Sequence, residues 1–226
     1  MKNYYVTGDI HGSFICLINF IEKFELNEND NIIVLGDVAL AWRKDKRDYN
    51  HNIEYYEKWC RGVHLYWIDG NHENFDIINS WELNEDGIYN NSEHIHYCSR
   101  GTVLDINGKK ALCIGGADSV DKFRRIEHLS WWSDETVTDK DIKGITGHYD
   151  YVFTHACPRS IFDSNKVYLC TLTNINENNA IHISEDSLEI LKNNINYDNW
   201  WFGHYHIDRK LDDKHRCLFE DFVELK

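Results

Sequence analysis

Five short motifs contain Asp, Asn or His side chains that could bind metal ions. In chain order they are Gly8-Asp9-Ile10-His11-Gly12, Gly36-Asp37, Gly70-Asn71-His72-Glu73, Thr154-His155 and Gly203-His204-Tyr205-His206. Their carboxylate, imidazole and amide donors suit Mn²⁺, Fe, Zn²⁺ or Ni²⁺, and none of these candidate ligands carries sulfur. Two adjacent divalent cations would need such donors. The motifs therefore indicate a binding site for metal ions.

Each motif follows a short apolar run or stands at its end, and these runs are typical of β-strands. The runs are residues 4–7, 32–35, 65–68, 151–154 and 199–202. In an α/β sheet, the carboxyl ends of successive strands gather the ligands. A glycine in four of the motifs lets the backbone turn tightly beside the candidate ligand. We therefore expect the five motifs to meet at one edge of the fold.

The rest of the pattern predicts helices and a second group of strands. Helices are expected from the N-cap Ser13 to about Phe24, near residues 52–61 and over residues 184–193. Residues 94–97, 102–106 and 110–114 are predicted strands, and Asn107-Gly108 predicts a hairpin turn between the last two. The tail, residues 209–225, predicts one more hairpin. The expected fold class is α/β, a two-sheet β-sandwich flanked by helices.

Composition predicts a single domain over residues 1–226 with a sizeable core. The 226 residues include 42% hydrophobic side chains, only one proline and no linker-like segment. The longest apolar runs are far shorter than the roughly 18 residues that a membrane span needs. The seven cysteines are odd in number and lack a C-x-x-C pair, which favours free thiols in a reducing compartment. No cleavable leader precedes the first motif, and we therefore expect a cytoplasmic protein.

The net charge of −14 disfavours an extended nucleic-acid footprint, because a phosphate backbone would be repelled. It does not disfavour a small phosphorylated partner, since part of the acidity belongs to candidate ligands that bound cations would neutralise. The charge thus excludes neither a small phosphorylated substrate nor a nucleotide, and no membrane partner is expected. The oligomeric state is left open by the sequence.

The order of the motifs resembles that of the calcineurin-like metallophosphoesterases. Their D-x-H, GD, GNH[ED], H and GHxH blocks all occur here, between residues 8 and 206. The resemblance implies two divalent metal ions, with Mn²⁺ expected first and Fe, Zn²⁺ or Ni²⁺ as alternatives. It also implies seven ligands, which are Asp9, His11 and His206 for one metal, Asn71, His155 and His204 for the other, and Asp37 between both.

The same resemblance implies a mechanism in which metal-activated hydroxide attacks the phosphorus of a phosphate ester. It assigns His72, beside the ligand Asn71, the role of the general acid that protonates the leaving oxygen. A general acid contributes about 10²–10⁴-fold, and least where the leaving group needs no proton. The alternative that the residues leave open is a His72 that only packs or orients the substrate.

The segment after Asp37 departs from the branch that the motifs otherwise resemble most. That branch, with Ser/Thr protein phosphatases and dinucleoside tetraphosphatases, continues as G-D-x-V-D-R-G, whereas residues 36–42 read GDVALAW. An Asp that would orient His72 and an Arg that would bind phosphate are both missing. Arg43 follows directly and could reach the phosphate, although a solvated side chain is the simpler interpretation.

A second departure is the loop that starts at Gly115-Gly116 and leads to Arg124 and Arg125. Either arginine could replace the missing phosphate clamp, because a guanidinium forks onto two oxygens. Trp131 and Trp132 follow, and they could stack a base or simply form part of the core.

Three hypotheses compete on these residues. The leading one is a dinuclear-metal-dependent phosphoesterase acting on a small phosphorylated or nucleotide substrate, with monoester or diester preference open. The second is a phosphoprotein phosphatase, which the missing Asp-Arg-Gly block disfavours. The third is a non-catalytic binding module on the same fold, which the intact ligand set and His72 disfavour.

Overall fold

A computed structural model describes residues 2–42, 47–165 and 182–225 of the chain. Its first half alternates strands with helices. The elements are β1 (Asn3–Thr7), α1 (Phe14–Lys23), β2 (Asp30–Val34), α2 (Arg47–Trp59), β3 (His64–Trp67), α3 (Phe75–Ile78), β4 (Ile88–Asn90) and β5 (Ile95–Cys98). Short apolar strands joined by amphipathic helices favour parallel pairing, because each helix crosses over to bring the chain back in the same direction. The strands β1, β2, β3 and β5 accordingly pair in parallel.

The second half builds another sheet. Its elements are β6 (Val103–Ile106), β7 (Lys109–Ile114), α4 (Asp139–Ile142), β8 (Gly147–Thr154), α5 (Arg159–Asn165), α6 (Ile183–Asn194), β9 (Ile195–Phe202), β10 (Arg209–Lys210), β11 (His215–Cys217) and β12 (Val223–Glu224). The order of the first sheet is β12-β1-β2-β3-β5-β4, and that of the second is β10-β11-β9-β8-β7-β6. The predicted α/β fold of two sheets with flanking helices is therefore confirmed.

Apolar side chains of both sheets meet in one buried layer. Val6, Ile33 and Leu35 from the first sheet pack in the same cluster as Cys113 and Phe153 from the second. The outer face of the first sheet is covered by α1 and α2 through a separate cluster, and α6 contributes to the cluster on the second sheet. This layering follows from sheets that are apolar on both faces, since each face must be buried against another element.

Some boundaries differ from those predicted by the sequence. The strands β8 and β9 begin earlier than predicted, at Gly147 and Ile195, because their polar first halves pair with each other. The tail forms an antiparallel pair, β10 with β11, but β12 joins β1 of the other sheet. Ser13 precedes α1 as predicted, although its side chain makes no capping hydrogen bond.

The predicted hairpin turn is confirmed. Asn107 and Gly108 both have positive φ, of 55° and 87°, and they connect the antiparallel strands β6 and β7. That conformation is typical of a tight hairpin turn. None of the helices in the described ranges is long and apolar enough to cross a membrane. The described cysteines are all free, and Cys170 lies outside the described residues.

Candidate metal centre

The first part of the site lies after β1 and β9, where one carboxylate faces two imidazoles. Asp9 Oδ2 lies 3.2 Å from His206 Nε2 and 3.8 Å from His11 Nε2, and the two imidazole nitrogens are 3.0 Å apart. Asp9 is buried, and its Oδ2 has no hydrogen-bond partner. An unpartnered buried carboxylate oxygen is costly, so it marks a place where a cation would be stabilising.

The second part lies after β2, β3 and β8. His155 Nε2 lies 3.3 Å from Asp37 Oδ1 and 3.2 Å from Asn71 Oδ1. All three residues are buried. Carboxylate, amide oxygen and imidazole nitrogen thus converge within the separations that ligands of one ion would have.

Hydrogen bonds to other parts of the protein orient the ligand atoms of His155 and Asn71. The ring of His155 donates its Nδ1–H to the carbonyl oxygen of Leu35 at 2.7 Å, which turns Nε2 toward Asp37. The amide Nδ2 of Asn71 donates to Ser119 Oγ at 3.0 Å, which turns Oδ1 toward His155. Partners of this kind fix the tautomer and orientation of metal ligands.

His204 lies between the two parts. Its backbone N–H donates to Asp9 Oδ1 at 2.9 Å, and its ring centroid is 4.9 Å from that of His155. Burial, followed by the charge of His155, lowers its pKa well below the usual value. A neutral imidazole is the form that binds a metal.

Asp37 reaches both parts, because its Oδ1 faces His155 and its Oδ2 lies 3.9 Å from His11 Nδ1. Burial opposes its ionisation, but the charges of His155, His72 and His11 outweigh burial and lower its pKa. The residue is therefore ionised and stands where a bridging ligand would stand.

The backbone at these residues is unusual. Four of the seven candidate ligands have left-handed φ angles, which are 46° at His11, 49° at Asp37, 68° at His204 and 53° at His206. Non-glycine residues in sparsely populated regions cost on the order of 1 kcal/mol or more each and cluster at functional sites. The fold thus holds these side chains in place at a cost in backbone free energy.

Two glycines allow the close approach of the motifs. A Cβ on Gly70 would overlap Asp37 Oδ1 and its backbone nitrogen, and a Cβ on Gly36 would overlap the ring of His155. Gly36 also has a φ of 94°, which L side chains rarely adopt. The glycines beside the ligands are therefore needed for space as well as for turning.

Glu73 fixes the loop that carries Asp37, a role that the sequence interpretation did not assign. Its Oε1 accepts hydrogen bonds from the backbone N–H groups of Val38 at 2.8 Å and Ala39 at 3.1 Å. Burial raises its pKa well above the usual value, and the neighbouring charge of Asp37 raises it further. In the sequence, this contact was indicated only by the position of Glu73 at the end of the Gly70-Asn71-His72-Glu73 block.

His72 lies at the edge of the cluster. Its backbone N–H donates to Asp37 Oδ1 at 2.7 Å, and its Nε2 lies 4.0 Å from Asp37 Oδ2. The ring sits between His11 and Trp42, with centroid distances of 5.3 and 5.7 Å. Trp42 thus packs beside the ring of His72.

Arg125 lies beside His72, whereas Arg124 is exposed over the ring of Phe123. The Nη2 of Arg125 is 3.4 Å from His72 Nε2, and its Nε pairs with Asp121 Oδ1 at 2.8 Å. Burial, Arg125 and the other histidines lower the pKa of His72, against the attraction of Asp37. Arg43, the other candidate for a phosphate contact, lies outside the described residues.

The tryptophan pair is split between two environments. Trp132 is 2% exposed and packs edge-on against Trp42, so its faces are not open to a base. Trp131 is half-buried and donates its indole N–H to Glu135 Oε1 at 2.8 Å. A cavity of about 630 Å³ lies next to the candidate metal centre. Its walls include His11, His72, Trp42, Asp48 and Asn52.

The donors present suit two divalent cations. The buried carboxylates of Asp9 and Asp37 are surrounded by imidazoles, and one carboxylate oxygen lacks a partner. Two overlapping groups of candidate ligands meet at Asp9, one with His11 and His206 and the other with Asp37 and His155. The chemistry and burial of this set fit a binding site for hard or borderline cations.

Comparison with protein families agrees with this geometry. The calcineurin-like phosphoesterase family matches residues 2–208, and the chain belongs to that family. Membership of this family implies a hydrolase that acts on phosphate esters, and the matched range includes all five motifs. No curated protein matches the chain.

Proposed function

We propose that this protein is a phosphoesterase that uses two divalent cations to hydrolyse a small phosphorylated substrate. The observation that carries the proposal is the convergence of five motifs on two buried carboxylates, one of which has an unpartnered oxygen. Asp9, His11 and His206 would hold one cation, and Asn71, His155 and His204 the other. Asp37 would bridge them from its position between the two groups.

Two bound cations would supply a water of lowered pKa and would stabilise the negative charge that develops on the phosphoryl oxygens. The chain itself contributes the orientation of the ligands. The carbonyl of Leu35 holds His155 in one tautomer, and Ser119 holds Asn71 with its oxygen inward. Burial of Asp9 and Asp37 keeps water from competing for the same oxygens.

His72 is the proposed general acid. His72 Nε2 lies 3.4 Å from Arg125 Nη2. Because a guanidinium can only donate hydrogen bonds, Nε2 can only accept one in this contact. A substrate phosphate would draw the guanidinium to its own oxygens, because a charged fork binds two oxygens at once. Nε2 would then be free to carry the proton for the leaving oxygen. Arg125 is accordingly the proposed phosphate contact.

The cavity beside His72 favours a small substrate. Its volume of about 630 Å³ lies within the ordinary range for small-molecule sites. His72 and His11 form one wall of the cavity, and Trp42 forms another. Because the proposed general acid lines it, the cavity would hold the leaving group of the substrate rather than its phosphoryl group. A nucleoside or another planar group is a suitable occupant, since an indole offers a face for stacking.

The first experiment compares rates on p-nitrophenyl phosphate and bis-p-nitrophenyl phosphate. The protein is stripped with a chelator and reloaded with Mn²⁺, the expected cofactor, and then with Zn²⁺, Ni²⁺ or Fe²⁺ in parallel. We expect a rate that vanishes on stripping and returns with Mn²⁺. A rate on the monoester alone would define a phosphomonoesterase, and a rate mainly on the diester a phosphodiesterase.

The absence of a metal-dependent rate on both substrates, with two cations bound, would contradict the proposal. That outcome would instead support a binding module on the same fold. A rate on phosphopeptides well above that on small esters would support a phosphoprotein phosphatase. The cytoplasmic location stays a prediction that this assay does not address.

A further inference from the structure

A second group of potential ligands lies at the opposite end of the first sheet. His64 begins β3 and His94 directly precedes β5, whereas the candidate metal centre follows the carboxyl ends of these parallel strands. Glu57 is in the last turn of α2, and Cys60 directly follows that helix. Glu57 and Cys60 are three residues apart, which brings their side chains to the same side of the helix end.

Glu57 and His94 are already held together. Glu57 Oε1 accepts the backbone N–H of His94 at 2.9 Å, and Oε2 lies 2.7 Å from His94 Nδ1. Both side chains are mostly buried, at 26% and 19% exposure. The backbone contact fixes the carboxylate without using its second oxygen, so Oε2 and the imidazole stay in place relative to each other.

Cys60 completes the group. Its thiol is buried, and Sγ contacts the carbonyl oxygen of Glu57 at 3.8 Å, which is a weak interaction for a sulfur donor. One donor atom each from Glu57, Cys60 and His94 lies within 4.8 Å of the others. A thiolate, an imidazole and a carboxylate are the three side-chain types that bind Zn²⁺ in proteins.

We propose that Glu57, Cys60 and His94 form a separate binding site for a borderline cation such as Zn²⁺, with water as the fourth ligand. On binding, the cation takes the place of the proton between His94 Nδ1 and Glu57 Oε2 and of the thiol proton of Cys60. The thiol proton leaves to solvent, whereas the imidazole stays neutral with its one proton on Nε2, so no oxidant or reductant is involved. The site is independent of the proposed hydrolysis, since it lies at the other end of the strands.

Neighbouring histidines support the site from behind. His96 Nδ1 donates to Asn90 Oδ1 at 2.7 Å, so its Nε2 accepts from His64 Nδ1 at 2.8 Å. His64 is thereby left with a lone pair on Nε2, and its ring centroid is 5.1 Å from that of His94. These hydrogen bonds fix the orientation of the His64 ring, which packs against the ring of the proposed ligand His94.

Titration of the chelator-stripped protein with Co²⁺ tests the proposal. A thiolate bound to Co²⁺ gives an intense ligand-to-metal charge-transfer band in the near ultraviolet. The seven candidate ligands of the other site contain no sulfur, so the band reports only a thiolate site. We expect the band in the parent protein and its loss in Cys60→Ser, with one Co²⁺ fewer bound per chain.

Cys217→Ser is the matched control, because Cys217 is also buried but lies near the other site, with Sγ 3.5 Å from the carbonyl oxygen of Gly203. The band should persist in this variant. His94→Gln, which does not alter the thiol, should weaken Co²⁺ binding at this site at least about tenfold. A parent without the band, a band that survives Cys60→Ser, or one lost only in Cys217→Ser would each overturn the proposal.

Discussion

Two groups of histidines stand at opposite ends of strand β3, and they differ in the carboxylate beside them. At the carboxyl end, His11 Nε2 and His206 Nε2 are 3.0 Å apart, and the neighbouring Asp9 Oδ2 has no hydrogen-bond partner. At the amino end, His64 and His96 are joined by a hydrogen bond of 2.8 Å, and Glu57 Oε2 lies 2.7 Å from His94 Nδ1. A carboxylate oxygen therefore lacks a hydrogen bond in one place and is paired in the other.

The difference lies in burial of negative charge. Asp9 and Asp37 are buried carboxylates, and Asp9 Oδ2 has no hydrogen-bond partner, so a cation that enters the site would be stabilising. At the amino end, Glu57 is partly solvated and already paired with His94. We therefore expect the carboxyl-end site to bind cations more tightly. Binding at the amino-end site displaces the thiol proton of Cys60, so its affinity should fall as the pH falls.

The largest effect is expected for Asp37→Asn, because this residue faces both parts of the carboxyl-end site. Loss of the bridging charge should lower the affinity for both cations by more than about 100-fold, the upper range for outer-shell partners. Metal content after gel filtration and the rate on p-nitrophenyl phosphate measure the effect. Both should fall to background.

The same variant sharpens the comparison when it is titrated with Co²⁺. The charge-transfer band assigned to Cys60 should be unchanged in Asp37→Asn, because the two sites share no ligand. Unaltered metal stoichiometry at the carboxyl end would contradict the bridging role of Asp37. Loss of the band would show instead that the two ends of β3 are linked.

A smaller effect, confined to the rate, is expected for His72→Ala. The variant should retain both cations, since His72 is not a proposed ligand, and should lose about 10²–10⁴-fold on an alkyl phosphate. The loss on p-nitrophenyl phosphate should be smaller, because that leaving group hardly needs a proton. Steady-state rates on the two esters, together with metal content, measure this.

His148→Ala is a suitable control for His72→Ala. His148 is exposed at the start of β8 and pairs with Asp198 at 3.2 Å, away from the candidate ligands. Its removal should leave both rates unchanged. Equal rates for His72→Ala and the parent on the alkyl ester would rule out the general-acid role.

The smallest effect is expected at the amino end, in the pH dependence of stability. Burial, followed by the charges of His64 and His94, lowers the pKa of His96 to about 4. The unfolded chain binds this proton with the ordinary pKa of about 6.5. The free energy of unfolding should therefore decrease as the pH is lowered from about 6.5 to about 4. Replacement by Gln keeps both hydrogen-bonding functions without the charge.

Urea unfolding of the chelator-treated protein at several pH values measures this difference. The His96→Gln variant should lose less stability than the parent between pH 6.5 and pH 4, and His148→Gln should follow the parent. The other titratable groups near His96 are Lys2, which adds to the downward shift, and Glu57, which opposes it. Parallel curves for His96→Gln and the parent would show that His96 does not control acid stability.

Much of the fold could be predicted because its signals are local. Apolar runs followed by Gly-Asp or Gly-Asn motifs identified the ends of β1, β2 and β3, and the Asn107-Gly108 turn identified a hairpin. The pairing of β12 with β1 could not be predicted, because it depends on residues over 200 positions apart in the chain. The polar beginnings of β8 and β9 were missed because tertiary pairing outweighs their weak strand propensity.

The candidate site divides in the same way. The motifs named the residues that the structure brings together, but their roles as ligands stay a prediction. The hydrogen bonds that orient these residues could not be predicted from the sequence. Asn71 contacts Ser119, 48 positions away, and His72 contacts Arg125, 53 positions away. The pairing of Glu57 with His94 has no motif at all, because it joins a helix end to a strand start 37 positions later.

The bond between the backbone N–H of His204 and Asp9 Oδ1 has a consequence for synthesis of the chain. It joins residues 195 positions apart, so the site has no complete form until residue 206 has left the ribosome. Asp9, His11, Asp37 and Asn71 emerge first, and at bacterial or eukaryotic elongation rates the last histidines follow on the order of 10 s later. During that interval, a nascent chain carries the two carboxylates and His11 without the imidazoles of His204 and His206. Metal retention is therefore a sign that the whole sandwich has closed.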